Sequence, residues 1–429
     1  MNDVILCLIA LLFALLLLSV PIFAAISFST IIAMILFTDT NPLIMVQRLF
    51  GGIDRFTLMS MPFFILAANA MDVGGLSSRI LRWARALVGH ISGGVALTTH
   101  LASMFFGSLS GSAPATVVAI GKIMYPELLR QGYSKNFASG LITSTGSVSL
   151  IIPPSLTLII FATVTNTSVG ALFMGGLAAG IVFGCIGLLY IWIYAKVNKL
   201  PRQEKATLGE LWESTRKAGW ALMVPVIILG GIYFGVFTAT EAAGVSAIYA
   251  ILVGMFVYKE IDLKKLYQLC LSSAITSAQV MILIAAASTF GWLLTVGQVP
   301  QSLAHFLTEN FTTPGSFLLF LNILLLIVGM FMDGSSAIVI LAPLLYPSAV
   351  AMGVDPIHLG IVIITNLAIG MYTPPFGLNI FVANSITKMK MIESLPGLTQ
   401  FLIVTLIALL VITYVPAIST FLPNMVYGS

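Results

Sequence analysis

The stretch GSLSGSAPAT (residues 107–116) sits in an apolar region without being apolar itself. Ser108, Ser110 and Ser112 alternate with Gly107 and Gly111, and Pro114 follows. Glycine permits a sharp reversal, and proline removes a backbone donor. Hydrocarbon offers no water to an opened backbone, so a break at this depth must be lined by protein or by a polar occupant. Hydroxyl and carbonyl oxygens suit a small monovalent cation. The N–H groups opening the next helix suit an anion. Small residues also let helices pack closely, but the doubled glycine and Pro114 favour a break over a packing face.

The surroundings justify placing this stretch in a bilayer. The chain has 429 residues, 59% hydrophobic and only 8% charged, whereas soluble domains carry about 25% charge. That excludes a soluble enzyme, a nucleic-acid binder and a disordered chain. Cys7, Cys185 and Cys270 are far apart, and the four histidines show no metal-ligand spacing, so neither a disulfide framework nor a transition-metal site is expected. The N-terminal apolar run lacks a basic leader and a cleavage site, which reads as a retained span.

Apolar runs predict spans near 3–20, 21–37, 57–72, 136–165 (interrupted), 169–195, 219–236, 239–257, 276–296, 356–386 (interrupted) and 398–421. Two pairs of shorter runs, 93–107 with 113–129 and 316–331 with 336–350, flank small polar clusters and predict re-entrant hairpins. With the linker 196–218 in the cytoplasm, 17 of the 19 basic residues fall inside. Only Arg48 and Arg55 fall outside, in a loop with Asp39 and Asp54. Segments 297–315 and 395–429 lack Lys and Arg and also fall outside, so both termini are predicted periplasmic. RILRWARALVGH (79–90) and IDLKKLYQLC (261–270) read as amphipathic arms at the cytoplasmic face or as charged loops.

The chain also repeats itself. Tyr125, Pro126 and Gly132 recur 221 residues later as Tyr346, Pro347 and Gly353. The same offset carries Pro153-Pro154 onto Pro374-Pro375 and Ser144 onto Thr365. GSAPA (111–115) resembles GSSA (334–337) after a two-residue adjustment. Each half holds five crossings and one hairpin, and five is odd, so the second half enters from the opposite side. The predicted fold is an all-α polytopic membrane protein made of two inverted-topology repeats, 1–195 and 219–429, each with a re-entrant helical hairpin and a broken transmembrane helix.

Three further strings carry chemistry. MDGSSA (332–337) places Asp333 at the tip of the second hairpin. A carboxylate at that depth is costly unless paired, so it reads as functional, balancing a cation or capping the next helix. STGSVSLIIPPS (144–155) and TNLAIGMYTPPF (365–376) put polar residues before a Pro-Pro pair that must break the helical ladder. Each half thus offers a hairpin tip and a broken helix. This predicts two pseudo-symmetric cation sites with substrate between the tips. The candidate cation ligands are Ser108, Ser110, Ser144, Thr145, Gly146, Asp333, Gly334, Thr365, Asn366 and Thr373. The candidate substrate contacts are Ser108, Ser110, Ser112, Thr116, Ser155, Ser335 and Ser336. Asp72 and Glu241 lie near span ends, where capping or solvation accounts for them.

The GSLSGSAPAT, MDGSSA and YTPPFG strings, the paired broken spans and the length resemble the large membrane (M) subunit of TRAP transporters, the tripartite ATP-independent periplasmic transporters, from about residue 3 to 425. The resemblance implies a bacterial or archaeal cytoplasmic-membrane protein. It implies import of organic acids such as C4-dicarboxylates and sialic acids on a sodium gradient, by an elevator motion. Its implied partners are a separate small four-span membrane subunit and a periplasmic substrate-binding protein. It assigns cation and substrate roles to Ser108, Ser110, Ser112, Asp333, Gly334 and Ser335, joined by Ser144, Thr145, Gly146, Thr365 and Asn366. No cofactor beyond sodium is implied. The absence of arginine from the tips favours a hydroxyl-rich monocarboxylate such as a sialic acid over a C4-dicarboxylate. Three alternatives stand beside this reading: a stand-alone ion-coupled carboxylate transporter, a passive channel, and an intramembrane serine hydrolase using Ser110 with His100.

Overall fold

The structure is a computed structural model that describes residues 2–37, 41, 43–311 and 313–428. Asp39, assigned above to an outer loop, lies outside the described residues. Every regular element among those residues is a helix. The first part runs α1 (Asn2–Leu17), α2 (Ile22–Phe37), α3 (Leu43–Ile53), α4 (Ser60–Val73), α5 (Leu76–Val88), α6 (Gly94–Ser110), α7 (Ala113–Arg130), α8 (Lys135–Thr145), α9 (Val148–Ile151), α10 (Leu156–Thr165) and α11 (Val169–Val197). The second part runs α12 (Leu208–Pro225), a π-turn and the short α13 (Gly231–Tyr233), then α14 (Ala239–Leu252) and α15 (Leu263–Val296). It continues with α16 (Val299–Asn310), α17 (Pro314–Phe331), α18 (Gly334–Ala351), α19 (Pro356–Gly370), α20 (Leu378–Thr387), α21 (Met391–Tyr414) and α22 (Ala417–Tyr427). Eight helices are long and apolar enough to cross a bilayer, nine if the bent α8–α10 pair is one span.

Local chemistry sets these boundaries. Thr207 with Glu210 and Thr238 with Glu241 form reciprocal capping boxes that open α12 and α14. Glu241 therefore satisfies a helix start. Ser112 caps α7, Ser134 caps α8, Asp333 caps α18 and Asp355 caps α19. These caps repeat at the 221-residue offset: Ser112 with Asp333, Ser134 with Asp355. The starts of α7, α8, α18 and α19 follow them. The two-residue adjustment at the hairpin tip is therefore wrong. Ser112, not Gly111, is the counterpart of a tip residue, and Asp333 fills that place in the second half. Beyond the Pro-Pro pairs the offset becomes 222, where Asn166 and Lys388 end α10 and α20 in the left-handed region. Gly132 and Gly353 share a positive φ of 83° and 77°, which glycine adopts without strain.

Several sequence expectations are corrected. The span near 398–421 is two helices, α21 and α22, parted at Val415-Pro416 because Pro416 cannot continue the ladder. The segment 261–270 is no separate arm. It is the start of the 34-residue α15, since no Gly or Pro interrupts it before residue 291. The element that precedes the second hairpin, as α5 precedes the first, is α16, in the segment 297–315 for which the sequence predicts no helix. The loop near residue 48 contains α3, and α12 begins inside the predicted linker 196–218. The hairpin helices are 17 or 18 residues long, longer than their apolar runs. At about 27 Å for 18 residues they approach the hydrocarbon thickness. What pairs them back-to-back is the two-residue connections, Gly111-Ser112 and Met332-Asp333.

Arg79 pairs with Glu260 at 3.1 Å and lies over the Tyr258 ring, while Arg85 reaches Glu127 and Gln203. Arg55 instead donates to the Thr163 carbonyl and to Asn166. Residues assigned to one side therefore bond among themselves.

Candidate functional site

The first hairpin tip is bonded from within. The Ser110 and Thr116 hydroxyls lie 2.9 Å apart, and Thr116 donates to the Ser112 carbonyl at 2.9 Å. Ser108 donates to the Phe105 carbonyl at 2.7 Å, and the Ser112 hydroxyl accepts from the Ala115 N–H. At the second tip Asp333 accepts from both the backbone N–H and the hydroxyl of Ser336. This carboxylate is thus a helix cap and only half-buried. Ser335 beside it is also half-buried.

The tips sit at the breaks. A Cβ placed on Gly111 would lie 3.5 Å from the Pro154 carbonyl and 3.6 Å from the Leu156 N–H. A Cβ on Gly334 would lie 3.4 Å from Thr157 and 3.6 Å from Leu150. The first break therefore touches both tips. Ser155, fully buried, donates to the Leu150 carbonyl and shares a 2.7 Å contact with Thr157, which also bonds that carbonyl. The second break is pinned to the second hairpin. Gly370 packs backbone to backbone against Gly329, and the Gly377 N–H donates to the Met330 carbonyl at 3.0 Å. Gly146 abuts the opening turns of α7, where an added Cβ would fall 2.4 Å from Val117.

Half of the predicted cation set, five of its ten residues, has one shared geometry. Ser108, Ser144, Thr145, Thr365 and Thr373 each donate the hydroxyl proton to a carbonyl three or four residues earlier. All five are buried. A hydroxyl oxygen whose proton is spoken for keeps lone pairs for another ligand. Asn366 is arranged differently. Its amide nitrogen donates to Asn322 at 2.7 Å and to the Val362 carbonyl, and Asn322 in turn donates to Thr413. That network lies one turn back from the break and ties α19 to α17 and α21. The Asn366 carbonyl oxygen is buried without a hydrogen-bond partner among the described residues.

Sequence reasoning missed Asn379. It is fully buried in the first turn of α20, and neither its amide nitrogen nor its oxygen has a partner among the described residues. An unpaired buried amide costs about 1–3 kcal/mol. The helix carrying it packs against α7 and α8. The only sequence signal was one asparagine soon after a Pro-Pro break, in an otherwise apolar turn. The hydrolase pairing is not formed. His100 Nε2 bonds the Gly184 carbonyl of α11 at 3.1 Å. It is ten residues, about 15 Å, up the helix from Ser110.

The family of the tripartite ATP-independent periplasmic transporter, DctM component, matches residues 9–418. The chain belongs to this family. Among its relatives, a C4-dicarboxylate TRAP transporter large permease protein of Pseudomonas aeruginosa is 42% identical, over 92% of each chain. A sialic acid TRAP transporter large permease protein of Vibrio cholerae is 34% identical, over 95% of this chain and 96% of that one. Both are named as permeases, and this DctM-family chain is a multi-pass transporter subunit rather than an enzyme. The crystal structure of the Alcanivorax borkumensis YdaH transporter aligns with a TM-score of 0.57 at 12% identity, covering 90% of this chain and 88% of that one, which is a likeness of fold.

Proposed function

We propose that this chain is the large permease subunit of a sodium-coupled importer of a small organic acid. The observation that carries the reading is the meeting of two hairpin tips with two proline-broken helices, lined by buried hydroxyls whose oxygens retain lone pairs. In this reading a sodium ion at each break, held by the cation set named above, orders the adjoining tip. The organic anion then binds between the tips, where hydroxyls and helix N-termini replace its water. Each net positive charge carried inward across 100 mV contributes about 2.3 kcal/mol. The hairpins and broken helices move as one block against a scaffold built from α1, α2, α12, α14 and the arm α5. The small membrane subunit and the periplasmic binding protein are separate polypeptides. The cytoplasm lies on the Arg79–Glu260 side and both termini lie outside.

On similarity a C4-dicarboxylate stands first as substrate and a sialic acid second. This reverses the order that the absence of arginine from the tips suggests. The test is uptake by proteoliposomes holding this chain with its small subunit and binding protein. Accumulation of labelled succinate or sialic acid should require an inward sodium gradient. Equal uptake in potassium would contradict sodium coupling, and full uptake without a binding protein would favour the stand-alone alternative.

A further inference from the structure

A cavity of about 630 Å³ lies apart from the hairpin-tip residues. Its walls come from α3, α10, α15, α18 and the turn after α3, through Arg48, Arg55, Thr163, Trp292, Thr295 and Val339 among others. Two arginines line it and no acidic residue does. These are the two basic residues that the charge partition leaves outside. Neither guanidinium forms an ion pair among the described residues. Arg55 Nη1 donates to the Thr163 carbonyl at 2.9 Å and to Asn166 Oδ1 at 2.6 Å. Arg48 stands 5.7 Å from the centroid of the Trp292 ring. All of these partners are neutral, so among the described residues two positive charges line one cavity with low-dielectric walls without an acidic partner. Such a cavity concentrates anions, and a guanidinium fork matches a carboxylate. The position fits passage inward. Val339 is five residues from Gly334 at the second tip, about 7.5 Å along α18.

We propose that this cavity is an outer carboxylate subsite, in which Arg48 receives the organic anion before it reaches the tips. Arg55 fixes the wall by holding the end of α10. The proposal rests on the transport reading for its substrate and sidedness, while the charge of the cavity does not. Its first test needs no transport. Thr295, exposed on the cavity wall, is changed to Cys in a purified full-length chain with Cys7, Cys185 and Cys270 replaced by Ser. Rates of modification by an anionic and a cationic methanethiosulfonate are then compared, each normalised to a free thiol. The anionic reagent should react at least fivefold faster. Arg48→Gln should lower that ratio at least twofold, with the Arg55 charge remaining, and Arg48→Lys should keep most of it. Equal rates in the parent, or a ratio that Arg48→Gln leaves untouched, overturn the proposal. The second test is uptake by the complete system. Arg48→Gln should raise the substrate KM about tenfold with the sodium half-saturation unchanged, and an unchanged KM overturns the role in uptake. The reagent ratio is read on the resting chain, so absence of uptake by the parent would count against the transport reading alone.

Discussion

Single residues separate structure from function most sharply at Asn379 and Asp333. A fully buried amide without partners is a cost to the fold. Asn379→Leu keeps the volume and removes that cost, so the melting temperature should stay level or rise. Uptake should nonetheless fall at least tenfold, the outcome expected of an amide that serves an ion or substrate. Unimpaired uptake by this variant would make Asn379 a structural accident. Asp333 caps α18 whatever else it does. Asp333→Asn preserves an acceptor for the Ser336 N–H, so folding and membrane insertion should survive while sodium-dependent uptake weakens. Wild-type sodium dependence would leave Asp333 as a cap alone. At this scale the sequence was half legible. Asp333 stood out because a carboxylate in an apolar run is conspicuous. Asn379 did not, because one amide in an apolar turn has no pattern around it, and its lack of partners exists only in three dimensions.

Among elements, the hairpins and breaks were legible because Gly, Ser and Pro must appear wherever a helix stops inside a membrane. The short helices α3, α16 and α22 were not. The first two lie outside the long apolar runs and α22 begins inside one, so a hydropathy window merges them with loops or with a neighbouring span. The contact of α17 with α19 gives an element-scale prediction. Gly370→Ala would place a Cβ 2.5 Å from the Gly329 Cα, backbone that cannot step aside. It should destabilise by about 1–3 kcal/mol, read as a lowered melting temperature in detergent. Gly244→Ala in α14 has nothing within 4 Å. It should be neutral or stabilise by up to about 1 kcal/mol through helix propensity. Equal effects from the two would contradict the close approach of the hairpin to the second broken helix.

For the whole molecule, the architecture was legible as two halves because an offset of 221 residues in sequence returns as matched caps and helix starts. What composition did not reveal is that both tips reach the first break, since that depends on how the halves dock. The motion proposed here makes the arm α5 part of the scaffold and α6 part of the moving block. Trp83 and Phe105 meet edge to face across that boundary, with ring centroids 4.8 Å apart. Cysteines at 83 and 105, in a chain without its native cysteines, should stop uptake when joined by a short bifunctional reagent and recover when it is cleaved. Full uptake with the link intact would rule out relative movement there. The claim beneath all of this is that the two proline breaks are ion sites. Equilibrium binding of radioactive sodium to the purified chain tests it most directly. Two saturable sites are expected, one lost in Ser144→Ala/Thr145→Ala and the other in Thr365→Ala/Thr373→Ala; no saturable binding, or full binding in both variants, would contradict it.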